Sequence, residues 1–250
     1  MMTYLYMENI REKHLRIAKD ALEKLYTTHR GAGLLSVYLW GSILRDEYAP
    51  GVSDVDALGI TDDNFPDEDA DASNSFLQER APELYDFRIN FVQFSELNGA
   101  TPVTHLAKVT PAPLMVMLFP DWEYVCGNQY QLSDFVVKAP TYEQAICLSM
   151  KVLDDFYVLP LTKGDFKKFK SVVKRMMHIC YFMNQIEKGH QTFSYLLLKQ
   201  NMNEQTREVL ELLFRIKEQS YRSPTKNELD TVLRFLDSTR RQYCISNHSG

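Results

Sequence analysis

The N-terminal part of the chain carries the apolar periodicity of an amphipathic helix. Four apolar residues follow one another at intervals of three and four positions, namely Leu15, Ala18, Leu22 and Leu25. Lysine and glutamate occupy many of the positions between them, which separates an apolar face from a charged one. The pattern predicts a helix from Met7 to His29 that is ended by the glycines at positions 31 and 33.

Short apolar segments with the features of β-strands follow this helix. LLSVYLW, residues 34–40, is nearly all apolar and rich in β-forming residues, as is typical of a buried strand. The segment DFRINFVQF alternates, so that Phe87, Ile89 and Phe91 share one face. The predicted strands are Leu34–Trp40, Val55–Ile60, Asp86–Phe94 and Trp122–Cys126, with short helices at Ser73–Arg80 and Leu114–Phe119.

From Tyr142 onward every long segment has helical periodicity. The predicted helices are Tyr142–Leu159, Asp165–Glu187, Phe193–Gln200, Glu204–Glu218 and Lys226–Cys244. Proline and glycine separate several of them, as expected at helix ends. We therefore predict an α+β protein. Residues 1–138 form a domain with a small mixed sheet flanked by helices, and residues 139–250 form a C-terminal helical bundle.

Composition places the chain among ordinary globular proteins, with 250 residues, 45% of them apolar and 24% charged. The net charge of −5 argues against a nucleic-acid binder, because neutralising phosphates requires a clustered excess of Lys and Arg. No segment approaches the roughly 20 apolar residues of a membrane span, and the N-terminal segment lacks the features of a signal peptide. We expect a cytoplasmic protein that binds neither nucleic acid nor membrane. The oligomeric state stays open.

The four cysteines carry no metal-binding or redox pattern. Cys126, Cys147, Cys180 and Cys244 show neither CxxC spacing nor the spacing of zinc ligands. Our interpretation is that most of them are buried or half-buried free thiols in a reducing compartment.

The segment from Gly41 to Asp56 combines a glycine–serine turn with two carboxylates. The turn follows the first strand, and eleven residues separate Ser42 from Asp54. Because side chains alternate along a strand, Asp54 and Asp56 are expected on one face, about 7 Å apart, with Val55 in the core. Two such carboxylates repel each other unless a cation lies between them, and oxygen ligands select a hard cation such as Mg²⁺. Backbone N–H groups at a glycine turn, with a hydroxyl, suit phosphate oxygens.

The stretch GSILRDEYAPGVSDVDAL, residues 41–58, resembles the signature of the polymerase-β-like nucleotidyltransferase superfamily. With a helical bundle after it, the layout is most similar to the aminoglycoside nucleotidyltransferases. The resemblance implies a nucleotidyltransferase fold for residues 1–138 and Mg²⁺ as cofactor. The implied reaction moves a nucleoside monophosphate from an NTP, usually ATP, to a hydroxyl of a small acceptor such as an aminoglycoside-like antibiotic, releasing pyrophosphate. The implied nucleotide contacts in this stretch are Gly41, Ser42, Arg45 and Ser53.

The superfamily carries a third carboxylate on a later strand, which helps to bind metal and can deprotonate the acceptor hydroxyl. Asp86, at the start of the predicted third strand, is our candidate, so Asp54, Asp56 and Asp86 are the predicted catalytic residues and metal ligands. If the strand is aligned by its end, this position falls instead on Arg88, about 7 Å along the strand. Glu83 and Glu96 are weaker substitutes.

A basic segment in the helical half offers partners for a triphosphate. Lys167, Lys170 and Lys174 are spaced by three and four residues, which places them on one face of the predicted helix. We assign these three lysines to nucleotide binding, although a lysine-rich face can also be solvated and structurally neutral.

These features favour a Mg²⁺-dependent adenylyltransferase whose partners are an NTP and a small hydroxylated acceptor. The acidic segment 62–71 would suit a cationic acceptor. The alternative is a catalytically silent nucleotide-binding or regulatory protein that retains the fold, which Arg88 would favour if it stands where an acid is expected. Modification of a protein or RNA end is a third possibility, and the negative net charge argues against RNA.

Overall fold

The computed structural model describes residues 2–45, 48–66, 68–189, 198, 202–219 and 222–245. The chain divides into two compact units, Met1–Ala139 and Pro140–Gly250. Each unit is described by itself below.

The first unit contains a four-stranded mixed sheet. Its strands are β1 (Leu34–Trp40), β2 (Asp56–Thr61), β3 (Arg88–Gln93) and β4 (Glu123–Gly127), in the order β3-β2-β1-β4. Strand β1 pairs antiparallel with β2 and β4, whereas β2 and β3 are parallel. The predicted α+β class with a small mixed sheet is confirmed.

Helices cover both faces of this sheet. They are α1 (Met2–His29), α2 (Glu68–Arg80), α3 (Phe94–Leu97), α4 (His105–Val109) and α5 (Ala112–Leu118). On one face Leu22 and Leu25 of α1 and Leu77 of α2 pack against the core. The opposite face is covered by α3–α5, with Tyr38 and Phe119 at its centre. The sheet is therefore buried on both faces, as the apolar sequence of β1 predicted.

Several predicted boundaries in this unit are wrong. Strand β3 begins at Arg88 rather than at Asp86, because Asp86 takes a left-handed conformation with φ 47°. Phe94 does not end the strand but begins α3. Helix α2 begins at Glu68 rather than at Ser73, so part of the acidic segment 62–71 is helical.

The second unit is helical throughout its described ranges. Its helices are α6 (Tyr142–Leu153), α7 (Leu159–Thr162), α8 (Phe169–Lys188), α9 (Glu204–Glu218) and α10 (Lys226–Thr239), with π-helical turns at Asp154–Val158 and Arg240–Ile245. Thr141 begins α6 with a capping box, and Gly189 ends α8 in a left-handed conformation. The predicted helix Phe193–Gln200 lies outside the described residues, apart from Leu198.

A disulfide joins Cys147 of α6 to Cys244 of the last π-helical turn, with 5.5 Å between the two Cα atoms. Cys126 and Cys180 are free thiols. The prediction that most cysteines are free is wrong for the bonded pair, because these residues are 97 positions apart and only folding brings them together. Cysteine usage therefore gives no support for a reducing compartment. Across the described ranges, no helix is long and apolar enough to span a bilayer.

Candidate active site

The glycine–serine turn lies directly after β1. Gly41 has φ 86° and ψ −156°, a backbone region that is essentially restricted to glycine. A short 3-10 turn, Ser42–Leu44, follows it, and the Arg45 N–H donates to the Ser42 carbonyl at 2.9 Å. A Cβ atom added at Gly41 would lie 3.5 Å from Oδ2 of Asp56. The turn and the carboxylate of Asp56 are therefore in close proximity.

Two of the three predicted metal ligands, Asp54 and Asp56, lie just before and at the start of β2. Asp56 is the first residue of the strand and pairs with Trp40 of β1. Val55 is fully buried in the core cluster on the α1–α2 side, while Leu58 and Ile60 face the other core cluster. By alternation Asp56 lies on the same face as Leu58. Asp54 lies two residues before the strand, and its carbonyl accepts a 3.4 Å hydrogen bond from the Ser42 hydroxyl.

Ser53 closes the loop that leads to these carboxylates. It is buried, and its hydroxyl oxygen accepts the Ala49 N–H at 3.0 Å while its own N–H donates to the Ala49 carbonyl at 2.8 Å. The Ser53 hydroxyl, which was predicted to contact the nucleotide, is therefore engaged in a hydrogen bond within the loop. In this structure Ser53 positions the backbone that carries Asp54.

The same loop is fastened to α1 by a buried pair of aromatic side chains. Nδ1 of His14 and the hydroxyl of Tyr48 are 2.7 Å apart. Burial raises the pKa of Tyr48 to about 12. Burial also lowers the pKa of His14; the charge of Lys13 lowers it further, and the charge of Glu83 opposes both. A neutral histidine can accept a hydrogen bond from the Tyr48 hydroxyl. The pair therefore holds the segment that begins at Tyr48 against α1.

We expect this pair to make stability depend on pH. Because the pKa of His14 is lowered in the folded state, the unfolded chain binds the proton first as the pH falls below about 6.5. The stabilising contribution is therefore complete above that pH and is lost as the pH falls toward the folded pKa. Urea unfolding between pH 8 and 5 should show a larger loss for wild-type protein than for His14→Asn. Equal losses in the two proteins would contradict this assignment.

The register of β3 determines which residue lies beside Asp56. Arg88, not Asp86, is the backbone partner of Asp56, and the Arg88 N–H donates to the Val55 carbonyl at 2.9 Å. Asp86 lies outside the strand, and its Oδ1 accepts a 2.6 Å hydrogen bond from Nε of Arg88. Within the described ranges, no three or more His, Cys, Asp or Glu residues are grouped so as to hold a metal ion. Asp86 as a third ligand therefore stays a prediction.

Glu96, one of the weaker substitutes, has a structural role. It is 1% exposed, and its carboxylate accepts the N–H groups of Gln93, Val103 and Thr104 at 2.5 to 2.8 Å. It also accepts the Thr104 hydroxyl at 2.8 Å. Glu83, the other substitute, is exposed. The Glu96 carboxylate therefore holds the loop after α3 in place through these hydrogen bonds, and it does not serve as a metal ligand or base in this structure.

Replacing Glu96 with alanine should lower the free energy of unfolding by about 3 kcal/mol, because buried donors would lose a charged acceptor. Urea unfolding measures the change. Glu79→Ala, at an exposed position of α2, is the matched control and should change stability by less than about 0.5 kcal/mol. A loss at Glu96 no larger than at Glu79 would rule out this structural role.

Arg45 stays close to the turn. Its Nε donates to the Gly41 carbonyl at 3.3 Å. Burial raises the pKa of Asp121, and the charge of Arg45 opposes that rise, so the two side chains interact electrostatically. Sequence analysis missed Asp121, since only strand pairing brings the segment before β4 to the end of β1. Arg45 as a phosphate contact stays a prediction.

The basic residues of the second unit are arranged differently from the prediction. Helix α8 begins at Phe169, so Lys167 lies in the preceding turn, where its N–H donates to Oδ1 of Asp165 at 3.1 Å. Lys170 and Lys174 are on α8, four residues apart and half-buried. The predicted face of three lysines is therefore reduced to two, because Lys167 is not helical.

No protein-family model matches the chain, and no curated protein sequence matches it. Its fold is similar to the crystal structure of spectinomycin adenyltransferase AAD(9) from Enterococcus faecialis with ATP and spectinomycin. The TM-score is 0.60 over 90% of this chain and 98% of that one, at 13% sequence identity. The resemblance seen in the motif of residues 41–58 is thus supported at the level of the fold. The chain shares the fold of this spectinomycin adenyltransferase.

Proposed function

We propose that the protein is a Mg²⁺-dependent nucleotidyltransferase that moves AMP from ATP to a hydroxyl of a small acceptor and releases pyrophosphate. The observation that carries the proposal is the close approach of the Gly41 turn to the carboxylate of Asp56. This arrangement brings N–H donors suited to phosphate next to an oxygen ligand suited to Mg²⁺. The fold neighbour with ATP and spectinomycin bound supports an NTP and a small acceptor as partners.

Asp54 and Asp56 are the residues that would hold Mg²⁺, since both are half-buried carboxylates beside the turn. The ion would neutralise phosphate charge that develops during transfer. Gly41, Ser42 and Arg45 would bind the phosphates of the nucleotide. The nucleotide contacts of Ser53, Lys167, Lys170 and Lys174 stay predictions.

The transfer itself needs positioning more than covalent chemistry from the protein. The acceptor oxygen attacks the α-phosphorus, a new P–O bond forms, and the bond from the α-phosphorus to the β-phosphate oxygen breaks. Pyrophosphate leaves, and the hydroxyl proton passes to a base. Asp86 is the predicted base, and it would take that proton on Oδ2 while Oδ1 keeps its ion pair with Arg88.

One observation favours a second function. Arg88 occupies the strand position beside Asp56. When the third strand is aligned by its end, Arg88 also falls at the position where the superfamily carries its third carboxylate. A protein lacking that acid could bind Mg²⁺–ATP and regulate a partner without turning the nucleotide over. This silent nucleotide-binding protein is the alternative that experiment must separate from the enzyme.

Calorimetry with ATP and Mg²⁺, followed by a pyrophosphate-release assay, separates these functions. The assay contains spectinomycin, other aminoglycosides, and hydroxylated acids and phosphates as acceptors. An enzyme releases pyrophosphate with at least one acceptor and stops when EDTA removes Mg²⁺. Binding of Mg²⁺–ATP without release under any condition supports the silent protein. Failure to bind Mg²⁺–ATP overturns both.

A further inference from the structure

The strand order places two different groups on the two sides of Asp56. On the β1 side lies the turn at Gly41 and Ser42. On the β3 side lies Arg88, the backbone partner of Asp56. Partners on adjacent parallel strands are about 4.8 Å apart and point to the same face of the sheet. Arg88 and Asp56 therefore face the same space.

Arg88 has the properties of a preorganised anion-binding group. Its side chain is 60% exposed, and its Nε is held by Oδ1 of Asp86 at 2.6 Å. Asp86 is itself fixed in a left-handed backbone conformation just before the strand. This bond orients the guanidinium plane, so less conformational freedom is lost when it binds a planar or tetrahedral oxyanion.

The proposed reaction assigns the two flanks of Asp56 to different reactants. In nucleotidyl transfer the attacking and leaving oxygens lie roughly in line on opposite sides of the phosphorus. If the turn at Gly41 and Ser42 holds the departing phosphates, the acceptor hydroxyl approaches from the opposite flank. That flank is the β3 side, where Arg88 lies. This step rests on the proposed function.

The acidic segment after β2 lies at the opposite end of that strand from Asp56 and Arg88. It follows the end of β2, which lies about 16 Å from Asp56 by the rise of a strand. Three of its acids have local partners: Oδ1 of Asp62 accepts the Asn64 N–H, Asp63 accepts the Ser95 hydroxyl, and Asp69 is 3.5 Å from His29. A cationic acceptor would therefore meet a guanidinium at the β3 flank before it met these carboxylates.

We propose that Arg88 binds an anionic group of the acceptor, so that the acceptor is a hydroxylated carboxylate or phosphate compound. Arginine binds both groups through paired N–H donors. An aminoglycoside would place its ammonium groups against Arg88. Asp86 offsets part of the charge of Arg88, but guanidinium and ammonium groups only donate hydrogen bonds, so neither could satisfy the other. The acceptor class thus differs from that of the fold neighbour, although the reaction type is shared.

The test uses Arg88→Gln, with Arg88→Lys as a conservative variant and Arg80→Gln at the exposed end of α2 as control. Calorimetry gives the Kd for Mg²⁺–ATP. Pyrophosphate release gives kcat and KM with sugar monophosphates and hydroxy acids on one side and spectinomycin on the other. We expect wild-type turnover with the anionic set. Arg88→Gln should raise the acceptor KM about tenfold to hundredfold while the Kd for Mg²⁺–ATP stays within about twofold.

Arg88→Lys should fall between wild type and Arg88→Gln, since it keeps the charge and loses the paired donors. Arg80→Gln should match wild type. A tenfold weaker Kd for Mg²⁺–ATP in Arg88→Gln would assign Arg88 to the nucleotide and overturn the inference. Turnover of spectinomycin without turnover of the anionic set would overturn only this inference. Binding of Mg²⁺–ATP without turnover of any acceptor would overturn this inference and would support the silent nucleotide-binding protein instead of the enzyme. Absence of Mg²⁺–ATP binding would overturn the proposed function as well.

Discussion

Replacing Asp56 with asparagine is expected to lower Mg²⁺-dependent pyrophosphate release from ATP by about a hundredfold or more. Asparagine has nearly the same size, so the start of β2 should keep its pairing with Trp40. Asparagine lacks the negative charge that a hard cation prefers. Its amide nitrogen would replace one of the two carboxylate oxygens beside the Gly41 turn. Initial rates at several Mg²⁺ concentrations, with an acceptor that supports wild-type turnover, measure the loss.

Asp71→Asn is the matched control, because Asp71 is exposed on α2 and undergoes the same chemical change. Its rate should equal that of the wild type. Urea unfolding of both variants shows whether the fold has been kept, and a cooperative transition near the wild-type midpoint is expected. If Asp56→Asn were folded and turned over ATP at the wild-type rate, Asp56 would not be a metal ligand, and the assignment of the site would fail.

Sequence analysis predicted which residues in and just before β3 face the core, but not where that strand begins. Phe87, Ile89 and Phe91 lie in one core cluster, as their alternation predicted. A shift of two residues leaves this alternation unchanged, so the sequence favoured Asp86 as the third acid and left Arg88 as the other possibility. The observed pairing with β2 places Arg88 beside Asp56. The left-handed backbone at Asp86, just before the strand, is not encoded in a period-two pattern either.

The local part of the candidate site could be predicted because one short segment contains it. Gly41 and Asp56 are joined by a single loop, and the residue types in that loop restrict its conformation. The groups that hold the loop could not be predicted in the same way. His14 lies 34 positions from Tyr48, and Asp121 lies on a different element from Arg45. Such contacts depend on helix and strand packing, for which a lone histidine or aspartate carries no periodic signal.

Breaking the disulfide between Cys147 and Cys244 is expected to lower the free energy of unfolding of the helical unit by about 4–5 kcal/mol. The bond closes a loop of 97 residues and so restricts the unfolded chain strongly. The ion pair between Arg240 and Asp154 joins the same two segments at 2.5 Å. Because it is partly exposed, it contributes no more than about 1 kcal/mol and cannot replace the covalent bond. Urea unfolding of Cys147→Ser/Cys244→Ser measures the loss.

Two comparisons identify the disulfide as the cause of that loss. A reductant should destabilise the wild type to the level of the double variant and leave the variant itself unchanged. Cys126→Ser, at a half-buried free thiol of the first unit, should keep the full response to reductant. If wild-type protein unfolded at the same urea concentration with and without reductant, the helices around α6 would be held by packing alone. The last π-helical turn would then owe its position to contacts such as the buried Tyr243 side chain rather than to the covalent bond.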